Sequence, residues 1–222
     1  MLSTEHSLRS QLVIAASLLT ITGFANCSYS NDKPGGPSEP VTFQSLRTLD
    51  GHGAWVNSVA CSPMGDRVVS GDENGAVIVW DVGKGKMIAT LEGHERDVRG
   101  VAFSPDGTMV ASGGWDGIAR LWDLSDGDVH EIPCGFKVAI NAIAFSPDGD
   151  LLATAVTGAK TIRLWNPVTH AHVRDLEGHT QQALDVEFHS DSSHLVSAGM
   201  DATVKAWKVE TGETLWSSYG HR

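Results

Sequence analysis

The sequence has few cysteines and no run of basic residues. Its three cysteines, Cys27, Cys61 and Cys134, are odd in number and lack metal-ligand spacing, which argues against a disulfide framework. Cys61 continues the apolar alternation of its segment and is expected to pack as a small hydrophobe. The formal net charge is −11 without any Lys or Arg cluster, so nucleic-acid binding is not expected. An acidic surface also disfavours anionic membranes.

Motifs of the common enzyme classes are missing as well. The sequence contains no G-x-S-x-G elbow, no phosphate-binding glycine loop and no H-E-x-x-H. The pair His170 and His172 has no third ligand at a metal-like spacing. The segment GDENG at 71–75 lacks the length and the terminal Glu of a calcium loop. We therefore expect no enzymatic activity, no metal and no cofactor.

The longest apolar stretch lies near the start of the chain, where QLVIAASLLTITGFA is too short and too rich in Thr and Ser for a membrane span. Small residues before Ala25 favour a secretory signal peptide at 1–25 and export to the periplasm or the medium. Asn26 is atypical of a lipidation site at Cys27. The alternative is an apolar segment that is never removed, in a cytoplasmic protein. Residues 26–40 are rich in Pro, Gly, Ser and Asn and are expected to form a flexible linker.

The remainder, 41–222, repeats itself with a period of about 42 residues. Trp80, Trp122, Trp165 and Trp207 are spaced by 42, 43 and 42 residues, and turn segments recur at 62, 104, 146 and 189 in phase with them. Gly-His pairs recur in the same phase, with one copy missing from the third unit. The four units lie at about 51–92, 93–134, 135–177 and 178–219.

Apolar residues within each unit follow a period of two rather than 3.6. In the second unit VRGVAF, TMVAS and IARLW are separated by Gly, Pro and Asp turns, and a fourth segment such as KMIATL precedes a Gly-His. Four short antiparallel strands make a small sheet that cannot bury both of its faces alone. Each sheet must therefore stack on its neighbours.

A unit of this length with Gly-His, Ser-Pro-Asp-Gly and Trp-Asp resembles the WD-repeat β-propellers. The resemblance implies an all-β fold of four four-stranded antiparallel blades. It also implies a buried network in each blade, formed by a His, a Ser or Thr, an Asp and a Trp. The third unit supplies neither the His nor the Asp and is expected to be the loosest blade. Transferred to this sequence, the network residues are His52, Ser70, Asn74 and Trp80; His94, Ser112, Asp116 and Trp122; Thr154 and Trp165; and His179, Ser197, Asp201 and Trp207.

Four units are fewer than the seven or so blades with which propellers of this family typically close. The segment TFQSLRTL has the character of a fourth strand without its blade, and ETLWSSY already completes the last one. We therefore expect an incomplete or oligomer-completed ring rather than a closed ring of four blades. The alternatives are an open arc, a part of a longer product, or half of a ring that a second copy or further WD repeats complete.

The resemblance further implies that partners bind to loops at one end of the blades. This predicts a non-catalytic protein–protein interaction scaffold whose partners the sequence does not identify. The alternatives are an enzyme or ligand-binding domain that uses the central channel, and a cytoplasmic regulatory module. Arg99 and Asn57 occupy equivalent positions near the channel mouth. The candidate interaction face comprises Trp55, Glu73, Asp97, Arg99, Trp115, Gln182 and Met200.

Overall fold

The fold consists of strands and tight turns. The computed structural model describes residues 12–14, 47–135 and 138–219, and no helix occurs in these ranges. Accordingly, no described segment forms a helix long and apolar enough to cross a membrane. The predicted signal peptide at 1–25 and the predicted linker at 26–40 lie outside the described residues, except for the short strand Leu12–Ile14.

Four sheets of four antiparallel strands follow one another along the chain and form blades 1 to 4. Two short strands, β1 (Leu12–Ile14) and β2 (Arg47–Leu49), precede them. Blade 1 contains β3 (Val56–Cys61), β4 (Arg67–Asp72), β5 (Val77–Asp81) and β6 (Lys86–Leu91). Blade 2 contains β7 (Val98–Phe103), β8 (Met109–Gly114), β9 (Ile118–Asp123) and β10 (Val129–Pro133). Blade 3 contains β11 (Ile140–Phe145), β12 (Leu152–Val156), β13 (Thr161–Trp165) and β14 (His172–Glu177). Blade 4 contains β15 (Ala183–Phe188), β16 (His194–Gly199), β17 (Thr203–Lys208) and β18 (Thr214–Tyr219).

The first strand of each blade lies beside the first strand of the next, in the order β3, β7, β11 and β15. The fourth strands are furthest from this shared edge, because each sheet keeps its strands in sequence order. The blades therefore fan out from a common axis, as in a β-propeller, and the all-β blade architecture predicted from the repeats is confirmed.

Apolar residues are buried between blades, since each sheet covers one face of the next. Between blades 3 and 4, for example, Ile162 and Leu164 of one sheet pack with Leu195 and Trp207 of the other, and all four side chains are fully buried. Equivalent clusters fill the other two interfaces. The blade stacking inferred from the period-two pattern thus supplies the core.

The two outer faces of the arc remain partly uncovered. Val59 of blade 1 is 48% exposed, whereas its equivalents Val101 and Val186 are 6% and 3% exposed. Cys61 is exposed too, which corrects the expectation that it packs as a small hydrophobe: no preceding blade covers it among the described residues. At the other end Val196 is 36% exposed, although its equivalents in the other blades are fully buried. The blades form an incomplete propeller.

The strand β2 partly covers the open face of blade 1. Leu49 is buried against Trp80, and the Arg47 guanidinium donates to the Gly83 carbonyl at 2.7 Å. The strand β2 pairs antiparallel with β1, Leu12 lying opposite Leu49. Residues 47–49, the described part of the segment TFQSLRTL, thus form a strand that lies outside the four blades.

Candidate functional site

A buried chain of hydrogen bonds crosses blade 2. The Trp122 indole N–H donates to the Ser112 hydroxyl at 2.8 Å, and that hydroxyl lies 2.7 Å from His94 Nε2. His94 Nδ1 lies 2.9 Å from the Asp116 carboxylate. An indole N–H can only donate and a carboxylate can only accept. The Trp122 indole therefore donates at one end of the chain and the Asp116 carboxylate accepts at the other, where the Arg120 guanidinium lies 2.7 Å from both His94 Nδ1 and Asp116 Oδ2.

Blade 4 repeats this chain with Trp207, Ser197, His179 and Asp201, at distances of 2.8, 2.8 and 3.0 Å. Burial opposes ionisation of Asp201, but hydrogen bonds from Thr203, Thr180 and His179 outweigh it and lower the pKa of this carboxyl. In blade 2, burial likewise opposes ionisation of Asp116. Hydrogen bonds from His94 and Arg120 outweigh it and lower the pKa of Asp116. Both acids are therefore charged at neutral pH.

In blade 1 the carboxylate comes from a different position. His52 Nδ1 lies 2.8 Å from Asp72, not from Asn74, whose exposed side chain lies outside the network. This corrects the transfer of the Asp role to Asn74. Asp72 occupies the position of Gly114, where an added Cβ would lie 2.8 Å from the imidazole and 2.9 Å from the Asp116 carboxylate. The same space is thus filled from either of two chain positions.

The rest of the blade 1 chain has the expected members. The Trp80 indole donates to Ser70 at 2.7 Å, and the Ser70 hydroxyl lies 2.6 Å from His52 Nε2. A sequence signal for the acid exists, because an Asp stands where the second and fourth units both have Gly.

Among the described residues of blade 3, the chain consists of its tryptophan and hydroxyl members only. The Trp165 indole donates to the Thr154 hydroxyl at 3.0 Å. Cys134 lies nearby and is buried, and this burial raises the pKa of its thiol to about 11. The Arg163 guanidinium donates to the Cys134 carbonyl and ties the blade to the segment before it. Residues 136–137, where the other units have His at the first position, lie outside the described ranges.

These networks tie each blade to its own turns. Their side chains are nearly inaccessible, with His94 at 0% and Asp116 at 8% exposure. A buried, fully hydrogen-bonded His and Asp have structural rather than catalytic surroundings.

The candidate interaction face is built from pairs of loop residues with one backbone geometry. The Trp115 N–H donates to the Asp97 carbonyl at 2.8 Å, and the Met200 N–H donates to that of Gln182 at the same distance. Glu73 and Trp55 form the corresponding pair in blade 1 at 3.0 Å. The structure therefore brings these six residues together blade by blade.

Large apolar side chains protrude from these pairs. Trp55 is 67% exposed, Met200 is 53% exposed and Trp115 is 38% exposed. The Arg99 guanidinium lies over the Trp115 ring at 4.4 Å from its centroid and pairs with Asp97 at 3.2 Å. Arg99 and Asp97 thereby hold the Trp115 ring in place. A groove of about 400 Å³ beside Trp115 continues to Val138 and Thr157 of blade 3.

Asn57 and Arg99 occupy β-bulges in the first strands of their blades, as do Asn141 and Leu184. Bulges redirect side chains. The Asn57 and Asn141 amides donate to backbone carbonyls of the following blade, at 3.3 and 2.8 Å. Both Asn57 and Arg99 line the axial cavity of about 640 Å³.

Two acids of the axial cavity are missing from the sequence prediction. Asp185 and Glu187 project from β15 into this cavity, whereas the equivalent residues of the other blades are small. Burial and the neighbouring Asp185 carboxylate raise the pKa of Glu187. The sequence does contain a signal for them, because these two acids stand where the other units have small residues. Strand alternation alone, however, does not distinguish these positions from positions that face solvent.

The His170 and His172 pair is divided between two environments. The His170 ring stacks on His130 at a centroid distance of 4.3 Å, while His172 Nε2 lies 2.7 Å from the Asp175 carboxylate.

Comparison with known proteins places the chain in a family. Residues 39–222 match the family model described as the IFT122 first beta-propeller. The chain belongs to the WD-repeat β-propeller family. It is similar to Polycomb protein esc of Drosophila virilis, at 36% identity over 63 residues, which cover 26% of this chain and 15% of that protein. It is also similar to small ribosomal subunit protein RACK1z of Oryza sativa subsp. japonica, at 45% identity over 40 residues, which cover 18% and 12%.

The matched segments therefore span a small part of the length of these relatives. The repeat signature of the WD-repeat propeller agrees with the blade networks described above. Proteins of this family are generally scaffolds that bind other proteins, and their propellers are generally non-catalytic.

Proposed function

We propose that the chain is a non-catalytic scaffold that binds another protein through the loop face around Trp55, Trp115 and Met200. The observation that supports this most directly is the exposure of three large apolar side chains in the paired loops of three blades, Trp115 and Met200 at one position of the pair and Trp55 at the other. The blade networks do not use these side chains. Aromatic side chains with a neighbouring Arg are typical anchors of protein interfaces.

The rigidity of the face supports the same proposal. Each pair of loop residues is fixed by a backbone hydrogen bond, and Trp115 is held by Arg99. A preorganised surface loses little side-chain entropy when a partner binds.

The test is a pull-down from an extract of the source organism with the wild-type chain, Trp115→Ala and Trp55→Ala. Val168→Ala is the matched control, because Val168 is 76% exposed in a turn away from the face. We expect partner recovery to fall with the two Trp variants and to remain unchanged with the control. Equal recovery by all the variants would remove this face as the binding surface.

We propose further that other WD blades, from a second copy or from further repeats, cover the open faces at Val59 and Val196. The exposure of these residues, whose equivalents are buried, supports this proposal. The mass in solution, from light scattering after size exclusion, distinguishes the two sources. A dimer supports closure by a second copy, and a stable monomer excludes it.

Export from the cytoplasm by the segment at 1–25 is also a proposal, supported by its composition. N-terminal sequencing of the mature protein tests it. A first residue at position 26 supports cleavage, and an intact N-terminus contradicts it.

A further inference from the structure

The turn between β15 and β16 brings together two imidazoles and a carboxylate. His194 Nδ1 lies 2.7 Å from Asp191 Oδ2, and His189 Nδ1 lies 3.1 Å from the same oxygen. The ligand atoms of the three residues all lie within 4.8 Å of one another. All three side chains are accessible to solvent, with exposures of 60% for His189, 39% for Asp191 and 43% for His194.

The two histidines are not needed for the turn itself. Blade 3 forms the same turn with Ser146 and Leu151 at the equivalent positions, and there the Ser146 hydroxyl accepts from the Leu151 N–H at 2.9 Å. Blade 4 keeps the backbone bond between these positions, from the His189 N–H to the His194 carbonyl. Its histidines therefore add imidazoles to a turn that other blades form without them.

The turn fixes the orientation of the Asp191 carboxylate. Oδ1 accepts from the backbone N–H groups of Ser193 and His194, at 2.8 and 3.1 Å, which leaves Oδ2 facing the two imidazoles. Ser192 adopts a φ of 58°, where the turn of blade 3 has a glycine, and its hydroxyl accepts from the Asp148 N–H at 3.1 Å. The turn is thus anchored to the neighbouring blade.

We propose that His189, Asp191 and His194 form a binding site for a divalent transition-metal cation of the Zn²⁺ class. Two imidazoles and one carboxylate are a donor set that suits Zn²⁺ rather than Mg²⁺ or Ca²⁺, which prefer oxygen ligands. Tetrahedral zinc with bonds of about 2.0–2.1 Å separates its ligand atoms by roughly 3.3 Å. The distances from Asp191 Oδ2 to His194 Nδ1 and to His189 Nδ1, 2.7 and 3.1 Å, must widen by roughly 0.6 and 0.2 Å, which exposed imidazoles achieve by side-chain rotation. Three protein ligands leave one position open for water or an external ligand.

The hydrogen bonds that Asp191 Oδ1 accepts hold the carboxylate in a fixed orientation in the absence of a metal. Orientation of a ligating carboxylate through its second oxygen is a common feature of metal centres. A cluster held together only by hydrogen bonds between imidazole N–H groups and the carboxylate is the competing arrangement, and the metal titration separates the two.

The test is isothermal titration calorimetry of the full chain with ZnCl₂ in a buffer that does not chelate zinc. We expect one Zn²⁺ per chain, and affinity at least about tenfold weaker in both His189→Ser and His194→Leu, which introduce the residues of blade 3. The double variant His170→Asn/His172→Asn is the matched control and retains wild-type affinity.

Thermal unfolding without metal verifies that each variant is folded, and it supplies a second measurement. Zn²⁺ is expected to raise the Tm of the wild-type and of the control, but not that of His189→Ser or His194→Leu. The proposal is overturned if the wild-type chain shows no saturable binding. It is equally overturned if both single variants bind as tightly as wild-type, or if the control variant abolishes binding.

Discussion

The position of the acid in blade 1 leads to a prediction about stability. In Asp72→Gly, His52 Nδ1 loses its acceptor in a space where the two side chains are 2% and 1% exposed. The N–H groups of Asn74 and Ala76 lose the Oδ1 acceptor as well. One buried donor without a partner costs about 1–3 kcal/mol. The added glycine costs about 0.5–1 kcal/mol more.

We therefore expect Asp72→Gly to lower the free energy of unfolding by about 3 kcal/mol. For a domain of this size that corresponds to a fall of roughly 6–12 °C in Tm. The assay is thermal unfolding followed by circular dichroism, combined with urea titration followed by tryptophan fluorescence.

The decisive variant is Asp72→Gly/Asn74→Asp, which gives blade 1 the arrangement of blades 2 and 4. The new carboxylate enters the space above His52 that the glycine opens, so we expect at least half of the lost stability to return. Asn74→Asp alone is the control: it brings a second negative charge close to Asp72 and should give no gain. A double variant no more stable than Asp72→Gly would refute the idea that the two positions fill one space.

Three further predictions concern titration and thiol reactivity. Hydrogen bonds lower the pKa of Asp116 below 3.8, so the stability that they give to the fold is complete above that pH and is lost as the pH falls further. In urea titrations, Asp116→Asn should therefore lose less stability on acidification than the wild type does. An unchanged pH profile would contradict this. Burial and the Asp185 carboxylate destabilise the ionised form of Glu187, which raises its pKa. Glu187→Gln should therefore raise the Tm by more at pH 7 than at pH 4, and an equal rise at both pH values would refute this. In a Cys27→Ser background, the exposed Cys61 should react rapidly with a thiol reagent at pH 8 while Cys134 reacts only on unfolding, and equal rates would count against the burial of Cys134.

The blade architecture was predictable because three landmarks recur in phase. The segments VRGVAF and KMIATL coincide with β7 and β6, since Gly and Pro turns bound the alternating strands on both sides. Because each unit of the repeat folds in the same way, the four units give the same strand pattern four times. This repetition compensates for the weak signal of a single short strand.

The features that the sequence did not predict depend on contacts between residues that are distant in the chain. Strand alternation assigns Cys61 to a face that is buried in other blades, but only the next sheet determines whether it is covered. The prediction for Asn74 was wrong because the network requires a carboxylate beside the imidazole, and side chains from two different chain positions can reach that place. Asp185 and Glu187 resemble solvent-facing residues until the first strands converge on an axis.

The candidate interaction face was predictable as a set of positions, whereas its geometry was not. Equivalent positions in successive units identify which residues share one end of the blades. The stacking of Arg99 on Trp115 arises from a bulge in β7, and no local pattern in the sequence distinguishes that bulge from a regular strand residue.

The bulge residues also bear on the mechanics of the arc. Asn57 links blade 1 to blade 2, and Asn141 links blade 3 to blade 4, whereas Arg99 between them turns toward its own blade. The seam between blades 2 and 3 lacks such an amide link and is held by apolar stacking and by the hydrogen bond from Arg163 to the Cys134 carbonyl. Under tension, or in slow opening motions, that seam is where the arc should bend, so that the blades move as two halves of a hinge.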